Sequence, residues 1–391
     1  MKIKFLLSRF LNGGIDTVLL RYLQHIDRHA NQIELIIGTE YKGLQRFEDL
    51  IPSNMQVKYL LHENFLTKLP KLKLTQKLSK TQKIIDAIAF APIRRAIQKT
   101  RFKKAIQNAD AVVDFDCTYY SFLKNATCRK IAFFHFSINK YHQSNESKIN
   151  RLCHKMMVYD KIVVICNKMA EEFAQRAPFL NNRISVIYNP VSGQQLEKKA
   201  SEYTPPDSQY ILSIARLEEK QKDFTTLINA YAAANKKTPL PPLYIIGEGQ
   251  DAAMLKQLSV QHKLENKIIF LGFIQNPMPW IAKAKVFVLS SKYEGLPTVL
   301  IEALTLGRII VSSDCPTGPA EILDNGNCGI LVPPGDANAM ARAIIQAVED
   351  EDLRAKITSN IDRHKQLFSA DYCIGQFMDL LKYWRFYAPI S

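Results

Sequence analysis

Nowhere in the 391 residues do about 18 uncharged apolar residues run together, which excludes a membrane-spanning helix of ordinary length. The opening M-K-I-K-F-L-L-S-R-F is cut by Arg9 before its apolar stretch reaches signal-peptide length, so the chain is expected to stay in the cytoplasm. Paired cysteines are missing too. The seven present (117, 128, 153, 166, 315, 328 and 373) are odd in number and scattered, with no C-x-x-C, so neither a disulfide framework nor a zinc-ligand spacing is available. They read as buried thiols of a reducing compartment. Internal repeats and low-complexity tracts are absent as well. Acidic residues are scarce in one half only: residues 1–195 hold 31 Lys+Arg against 15 Asp+Glu (+16), and residues 196–391 hold 21 against 22 (−1), which together make the net +15. A field concentrated in half a molecule attracts an acidic partner, whether an anionic membrane surface, a lipid pyrophosphate or nucleic acid.

What is present points to an α/β protein. The length exceeds one ordinary core, and 47% hydrophobic residues suffice to fill two. In the first half, apolar runs at 2–8, 33–39, 57–61, 111–116, 130–136, 161–166 and 184–189 alternate with helical patterns, the rhythm of a doubly wound sheet. After the first run, Gly13-Gly14 allows a loop whose backbone can approach a ligand closely, although a glycine pair is by itself an ordinary turn. Residues 68–104 carry twelve Lys/Arg with only Asp86 against them, interspersed with Leu and Ile. They predict amphipathic basic helices that lie on an anionic bilayer or, alternatively, a solvated insertion. His135 closes an apolar run, where a sheet's carboxyl edge meets a cleft. Asp114-Phe115-Asp116 spells a D-x-D that could hold a divalent metal, but it ends an ordinary buried strand, and no metal site is assigned.

The second half is organised around 293–307, Y-E-G-L-P-T-V-L-I-E-A-L-T-L-G. The preceding V-F-V-L-S-S reads as a buried strand, 294–297 as a tight turn and 298–306 as a short helix with Pro297 near its start and Gly307 past its end. Such a turn aims backbone N–H groups and the positive helix end out of a parallel sheet, where an anion is welcome. Glu294 and Glu302 flank that spot. A bare phosphate would be repelled by two acids, whereas a sugar nucleotide offers hydroxyls to the carboxylates and its diphosphate to the helix end and nearby cations. Upstream, a strand at 209–215 leads into Arg216-Leu-Glu-Glu-Lys-Gln-Lys222-Asp-Phe, a pair of cations that in isolation would be an ordinary solvated face.

With these residues in place, the chain resembles retaining glycosyltransferases of the GT-B fold, family four, of the bacterial surface-polysaccharide and lipopolysaccharide type. Glu294 and Glu302 match the E-x7-E element and Arg216 to Phe224 the G-R-L…K-G/D-F word, with Ala215 in place of the usual glycine. Further matches are Y-N-P-V at 188–191, Y-I-I-G-E-G at 244–249, K-I-I-F-L-G-F at 267–273 and G-P-A-E-I-L at 318–323. The resemblance is nearly continuous from Gln209 to about Val348 and thin before that. It implies two Rossmann-like domains facing a central cleft: 1–191 binding the acceptor, with 68–104 near the membrane; 192–207 as linker; 208–370 binding the donor; and 371–391 crossing back as a helix.

It further implies metal-independent transfer of a hexose or N-acetylhexosamine from a nucleoside-diphosphate sugar, taken to be a UDP-sugar, with no separate cofactor. Arg216 and Lys222 would hold the diphosphate and Glu302 the ribose; Glu294 and His135 would position the hexose. The exit Gly272-Phe273-Ile274 would hold the base, Gly295, Leu296, Thr298 and Val299 would line the donor through their backbone, and Gly13-Gly14 would lie near the diphosphate and the acceptor. Pro297, where many relatives have glycine, removes one donor N–H. The expected partners are a lipid-linked or lipopolysaccharide-core acceptor and the anionic inner membrane, on whose cytoplasmic face the chain would be peripheral. Two other readings stand beside this one. A basic nucleic-acid-binding protein is disfavoured because only Phe90 and Phe102 interleave with the basic run. A catalytically silent GT-B module is disfavoured by the intact Arg216, Lys222, Glu294 and Glu302.

Overall fold

The computed structural model describes residues 1–11, 13–27, 29–44, 48–76, 78–139, 145–206 and 209–382. The chain divides into two units. One comprises Met1–Ile165, Ala170–Ile187 and the stretch beginning at Ile374; the other comprises Cys166–Met169 and Tyr188–Cys373.

In the first unit the apolar runs become β1 (Lys2–Leu7), β2 (Gln32–Ile37), β3 (Gln56–Tyr59), β4 (Ala111–Asp114), β5 (Arg129–Phe134), β6 (Lys161–Val164) and β7 (Ile184–Val186). They pair in parallel in the order β3-β2-β1-β4-β5-β6-β7. The runs are apolar without alternation because helices cover both faces of such a sheet, and Ile3, Phe5, Leu6 and Val112 are fully buried. Strand order reverses beside β1, so the crevice for a ligand opens where β1 and β4 end. The helix Ala370–Lys382 contributes Phe377 to this core, with ring contacts to Phe5, Tyr22 and Phe133. Of the final segment expected to cross back as a helix, 383–391 lie outside the described residues.

The second unit repeats the plan with β8 (Ile211–Ile214), β9 (Leu243–Ile246), β10 (Ile268–Gly272), β11 (Val286–Leu289), β12 (Ile309–Ser313) and β13 (Ile330–Val332), all parallel in the order β10-β9-β8-β11-β12-β13. Here the order reverses between β8 and β11. The two sequence words richest in charge therefore leave adjacent strands on either side of one switch point.

Three details differ from the sequence reading. Residues 192–207 are not a plain linker: Ser192 accepts the Gln195 N–H and caps a helix, Gly193–Ala200, that buries Leu196. The second unit starts earlier than 208, at Tyr188, because the bonds of the N-P-V word go forward: Asn189 Nδ2 donates to Leu296 O (3.2 Å), and Val191 N to Phe368 O (2.8 Å). The basic stretch is helical over Lys68–Thr75, Lys80–Ile85 and Ala91–Ala105, with a π-helical turn Asp86–Phe90 between the last two. It is not detached: Phe102 is fully buried and stacks on Tyr119. No helix among the described residues is long and apolar enough to cross a membrane.

The D-x-D carboxylates are committed internally. Asp114 is completely buried and accepts from Tyr119 N (2.7 Å), Thr118 N (3.2 Å) and the Tyr159 hydroxyl, while Asp116 accepts from Ser8 N (2.9 Å) and Oγ. Burial, reinforced by the charge of Asp116, pushes the Asp114 carboxyl up to about 8; burial likewise pushes Asp16 up to about 6 despite bonds from Gly13 and Leu11 N–H. A carboxyl whose folded pKa lies above the ordinary 3.8 keeps a proton that the unfolded chain has released, so stability falls as pH rises through the window from about 4 to about 8. Urea unfolding followed across that range is expected to show this decline. Asp114→Asn, which keeps an acceptor oxygen, is expected to remove the part of the decline above about pH 6 and leave the part due to Asp16.

Candidate functional site

In the second unit β11 is followed by Ser290-Ser291, both buried, and the turn 292–297 delivers Glu294 to the sheet's carboxyl edge. The turn is clamped from the β12 side, where Glu294 N donates to Pro316 O (2.7 Å) and Thr317 N to Glu294 O (3.0 Å). Gly318 of the G-P-A-E word sits so close that a Cβ there would lie 2.5 Å from Gly295 O. The helix that follows runs Thr298–Thr305, one residue shorter than read, with Pro297 as its N-cap and Gly307 at φ 69° just past its end. First-turn N–H groups of a helix have no intrahelical acceptor, which leaves those of Thr298 and Val299 available at this helix end.

The other arm leaves β8. Ala215 and Leu217 lie under the β9 exit: Leu217 N donates to Glu248 O (2.9 Å), and a Cβ at Gly249 would fall 2.1 Å from Leu217 O. Only a residue without a side chain fits there. Gly249→Ala is expected to displace the Arg216 loop and to cost about 1–3 kcal/mol, read by urea unfolding together with loss of ligand affinity. Past Arg216 the chain makes a single helical turn, Glu219–Lys222. Asp223 ends it in the left-handed conformation (φ 51°), held by its acceptance of the Thr226 hydroxyl (2.8 Å) and by Lys292 (3.1 Å). That reversal points Lys222 back at the β11 turn.

The two arms meet in an ion pair. Lys222 Nζ lies 2.5 Å from Glu294 Oε1, with the two side chains 15% and 7% exposed, and the Ser291 hydroxyl donates to the same oxygen at 2.6 Å. The sequence reading assigns the two residues to different parts of a ligand; in the structure they satisfy each other. Ser290 Oγ donates to Lys222 O (2.9 Å), and Lys292 N to Gln221 O (2.8 Å), so backbone bonds lock the arms as well. Arg216 stays in solvent, 68% exposed and 3.4 Å from Glu218. Burial, Glu218 and Glu294 push the Tyr293 hydroxyl up while Arg216 pulls it down, which places Arg216 in the electrostatic surroundings of the same turn. Glu302 is 8% exposed in the helix behind Glu294. At the β10 exit Gly272 has φ 72° and accepts the Gly247 N–H (2.8 Å), Phe273 is exposed and Ile274 half-buried.

Ser291 and Thr317 were not given a role, since nothing local separates a clamp hydroxyl from any other strand-end hydroxyl. Gly318 and Glu321 were matched only as parts of the G-P-A-E-I-L word, without a role. Glu321 accepts from Asn167 N (2.9 Å), Asn167 Nδ2 (3.0 Å), Lys168 N (2.7 Å) and the Tyr188 hydroxyl (3.0 Å), so it holds chain segments in place.

The remaining candidates lie in the first unit. His135 follows β5, is 7% exposed, and its Nε2 lies 2.9 Å from Phe115 O; burial lowers its pKa to about 4, which leaves the imidazole neutral at pH 7. It lines a small cavity of about 60 Å³ with Asp116, Cys117 and Leu152. Gly13 and Gly14 are exposed at the start of the helix Gly14–His25, and the Asp16 carboxylate accepts the Gly13 N–H (2.8 Å).

Residues 194–364 match the family described as Glycosyl transferases group 1. Over 184 residues the chain is 33% identical to the N-acetylgalactosamine-N,N'-diacetylbacillosaminyl-diphospho-undecaprenol 4-alpha-N-acetylgalactosaminyltransferase of Campylobacter jejuni, covering 47% of this chain and 49% of that one. With the lipopolysaccharide 1,6-galactosyltransferase of Salmonella typhimurium it shares 28% over 256 residues, 63% and 68% of the two chains. The chain spans about half to two thirds of the length of the first curated relatives it matches. Among solved structures, Anabaena HepE in complex with UDP superposes with a TM-score of 0.76 over 97% of this chain and 99% of that one at 17% identity, which shows the fold, that of GT-B glycosyltransferases.

Proposed function

We propose that the chain is a retaining, metal-independent glycosyltransferase of family four that moves a hexose or N-acetylhexosamine from a UDP-sugar to a membrane-associated glycan or glycolipid in surface-polysaccharide or lipopolysaccharide synthesis. One observation carries this reading: the buried Lys222–Glu294 pair at the switch point of the second sheet, beside a helix N-terminus and an exposed arginine. The group 1 match over this unit, relatives named for lipopolysaccharide and lipid-linked glycans, and a similarly folded protein holding UDP support it.

On this reading the donor diphosphate draws Lys222 away from Glu294 and takes the fork of Arg216, and Glu294, so released, accepts from hexose hydroxyls. Glu302 accepts from the ribose, and the N–H groups of Gly295, Leu296, Thr298 and Val299 surround the sugar phosphate. The base rests at Gly272, Phe273 and Ile274. The C1–O bond to phosphate breaks with its electron pair going to the diphosphate, the acceptor oxygen bonds C1 on the same face, and the acceptor proton passes to the departing phosphate oxygen. Lys222 and Arg216 stabilise the charge that develops there, the role a metal has elsewhere. The first unit takes the acceptor, and His135 and Gly13-Gly14 are its candidate residues. Ile84, Ile85, Ile88 and Ile93, 58%, 45%, 74% and 49% exposed amid the basic helices, seat the chain on the cytoplasmic face of an anionic membrane.

The test is a panel of nucleotide sugars scored by release of free nucleoside diphosphate, with membrane extract as acceptor. Extract-dependent release from one sugar nucleotide in the presence of a chelator is expected. Silence across the panel would sink the reading.

A further inference from the structure

A groove of about 630 Å³ runs along the carboxyl edge of the first unit's sheet, beside the β1–β4 switch point. Its floor comes from the ends of three strands: Ser8 and Arg9 after β1, Thr39 and Tyr41 after β2, Thr118 and Tyr119 after β4. Its wall is the helical segment carrying Ala87, Ala91, Arg94, Arg95 and Gln98. No Asp or Glu is among the described residues that line it, whereas three arginines are.

The arginines differ in availability. Arg94 is a brace: it donates to both oxygens of Asp86 (2.6 and 3.0 Å) and to Leu66 O (2.8 Å), which holds the π-helical turn against the unit. Arg95 is exposed, with one nitrogen on Ser121 Oγ (2.8 Å) and its guanidinium 5.7 Å from the Phe122 ring centre, so most of its five N–H donors still face outward. Arg9, at the end of β1, is exposed as well and lines the same groove. Two exposed guanidinium forks in one groove suit an extended dianion better than a single phosphate. The wall adds a second feature: Ile84, Ile85, Ile88 and Ile93 lie on the same segment as Ala87, Ala91 and Pro92 of the lining and project to solvent. A ligand bound in the groove therefore has an apolar surface next to its charged end.

We propose that this groove binds the diphosphate of a lipid-linked glycan acceptor, Arg9 and Arg95 gripping the two phosphates while the lipid chain runs over the isoleucines. The inference deepens the transferase reading and rests on it for the word acceptor. A groove that holds the diphosphate would select lipid-linked substrates over free sugars.

The probe is farnesyl diphosphate, titrated calorimetrically into the full chain with excess UDP present to fill the donor site. Inorganic diphosphate and farnesol serve as the two halves of the ligand. Farnesyl diphosphate is expected to bind at least tenfold more tightly than inorganic diphosphate, and farnesol to give no heat. The double variant Arg9→Ala/Arg95→Ala is expected to weaken binding at least tenfold, with a thermal melt to show that it folds. Ile84→Ser/Ile88→Ser is expected to bring farnesyl diphosphate to the level of inorganic diphosphate. Unchanged affinity in the arginine variant, or equal affinity for the two diphosphates in the parent, overturns the proposal. A chain that binds UDP but not farnesyl diphosphate loses the groove and keeps the donor reading; the opposite result does the reverse.

Discussion

Lys222→Ala is expected to lower turnover by about 10² to 10³, the effect of removing one fixed donor from a developing oxyanion. It is also expected to destabilise the fold, because Glu294 is 7% exposed and would be left with the Ser291 hydroxyl but no cation. Breaking a buried pair by removing one partner costs about 3–5 kcal/mol, most of it the penalty of the orphaned charge. The two consequences separate in the double variant Lys222→Ala/Glu294→Gln. With the carboxylate neutralised the unfolding free energy is expected to return most of the way, while turnover stays low because nothing replaces the cation at the diphosphate. Urea unfolding and nucleoside diphosphate release, measured on the three proteins, decide between roles. If the double variant regains turnover along with stability, Lys222 is a structural partner of Glu294 and no more.

Arg216 gives the opposite pattern. Its side chain is 68% exposed, and its nearest partner, Glu218, is 3.4 Å away. An exposed pair of this kind contributes less than about 1 kcal/mol, so Arg216→Ala is expected to leave the melting temperature nearly unchanged. Turnover is expected to fall by about 10² to 10³ on the proposed reading, since the variant removes a fork that would face the charge developing on the departing diphosphate. Arg216→Lys is expected to recover only part of the loss, because an ammonium cannot grip two phosphate oxygens in the plane of a guanidinium. A kcat for Arg216→Ala within a few fold of the parent would show that the diphosphate is held elsewhere.

Much of the molecule was readable before any coordinates. Continuous apolar runs such as V-F-V-L and A-V-V-D mark parallel strands covered on both faces, and each run became one. Pro297 and Gly307 bracketed a helix that formed between them. Less readable was anything that depends on where a chain turns back. The stretch 192–207, polar and proline-bearing, hid a capped helix because its one buried contact, Leu196, carries no periodic signal in eight residues. The basic run 68–104 looked uniform, yet Phe102 is core, Arg94 is tied to Asp86 and Arg95 faces a groove. His135 was read at a cleft mouth and is found nearly enclosed, neutral at pH 7 through burial.

From the residues alone came two parallel-sheet units, the order of their strands along the chain and the identity of the charged words that follow two of them, because strand and turn formation respond to patterns a few residues long. Tertiary structure alone decided that Lys222 and Glu294, 72 residues apart, share one part-buried hydrogen bond, and that Arg9 and Arg95 line one groove. Those pairings depend on which strands become neighbours and on a left-handed turn at Asp223, and no local pattern encodes the distance between two side chains that only the closed sheet brings together.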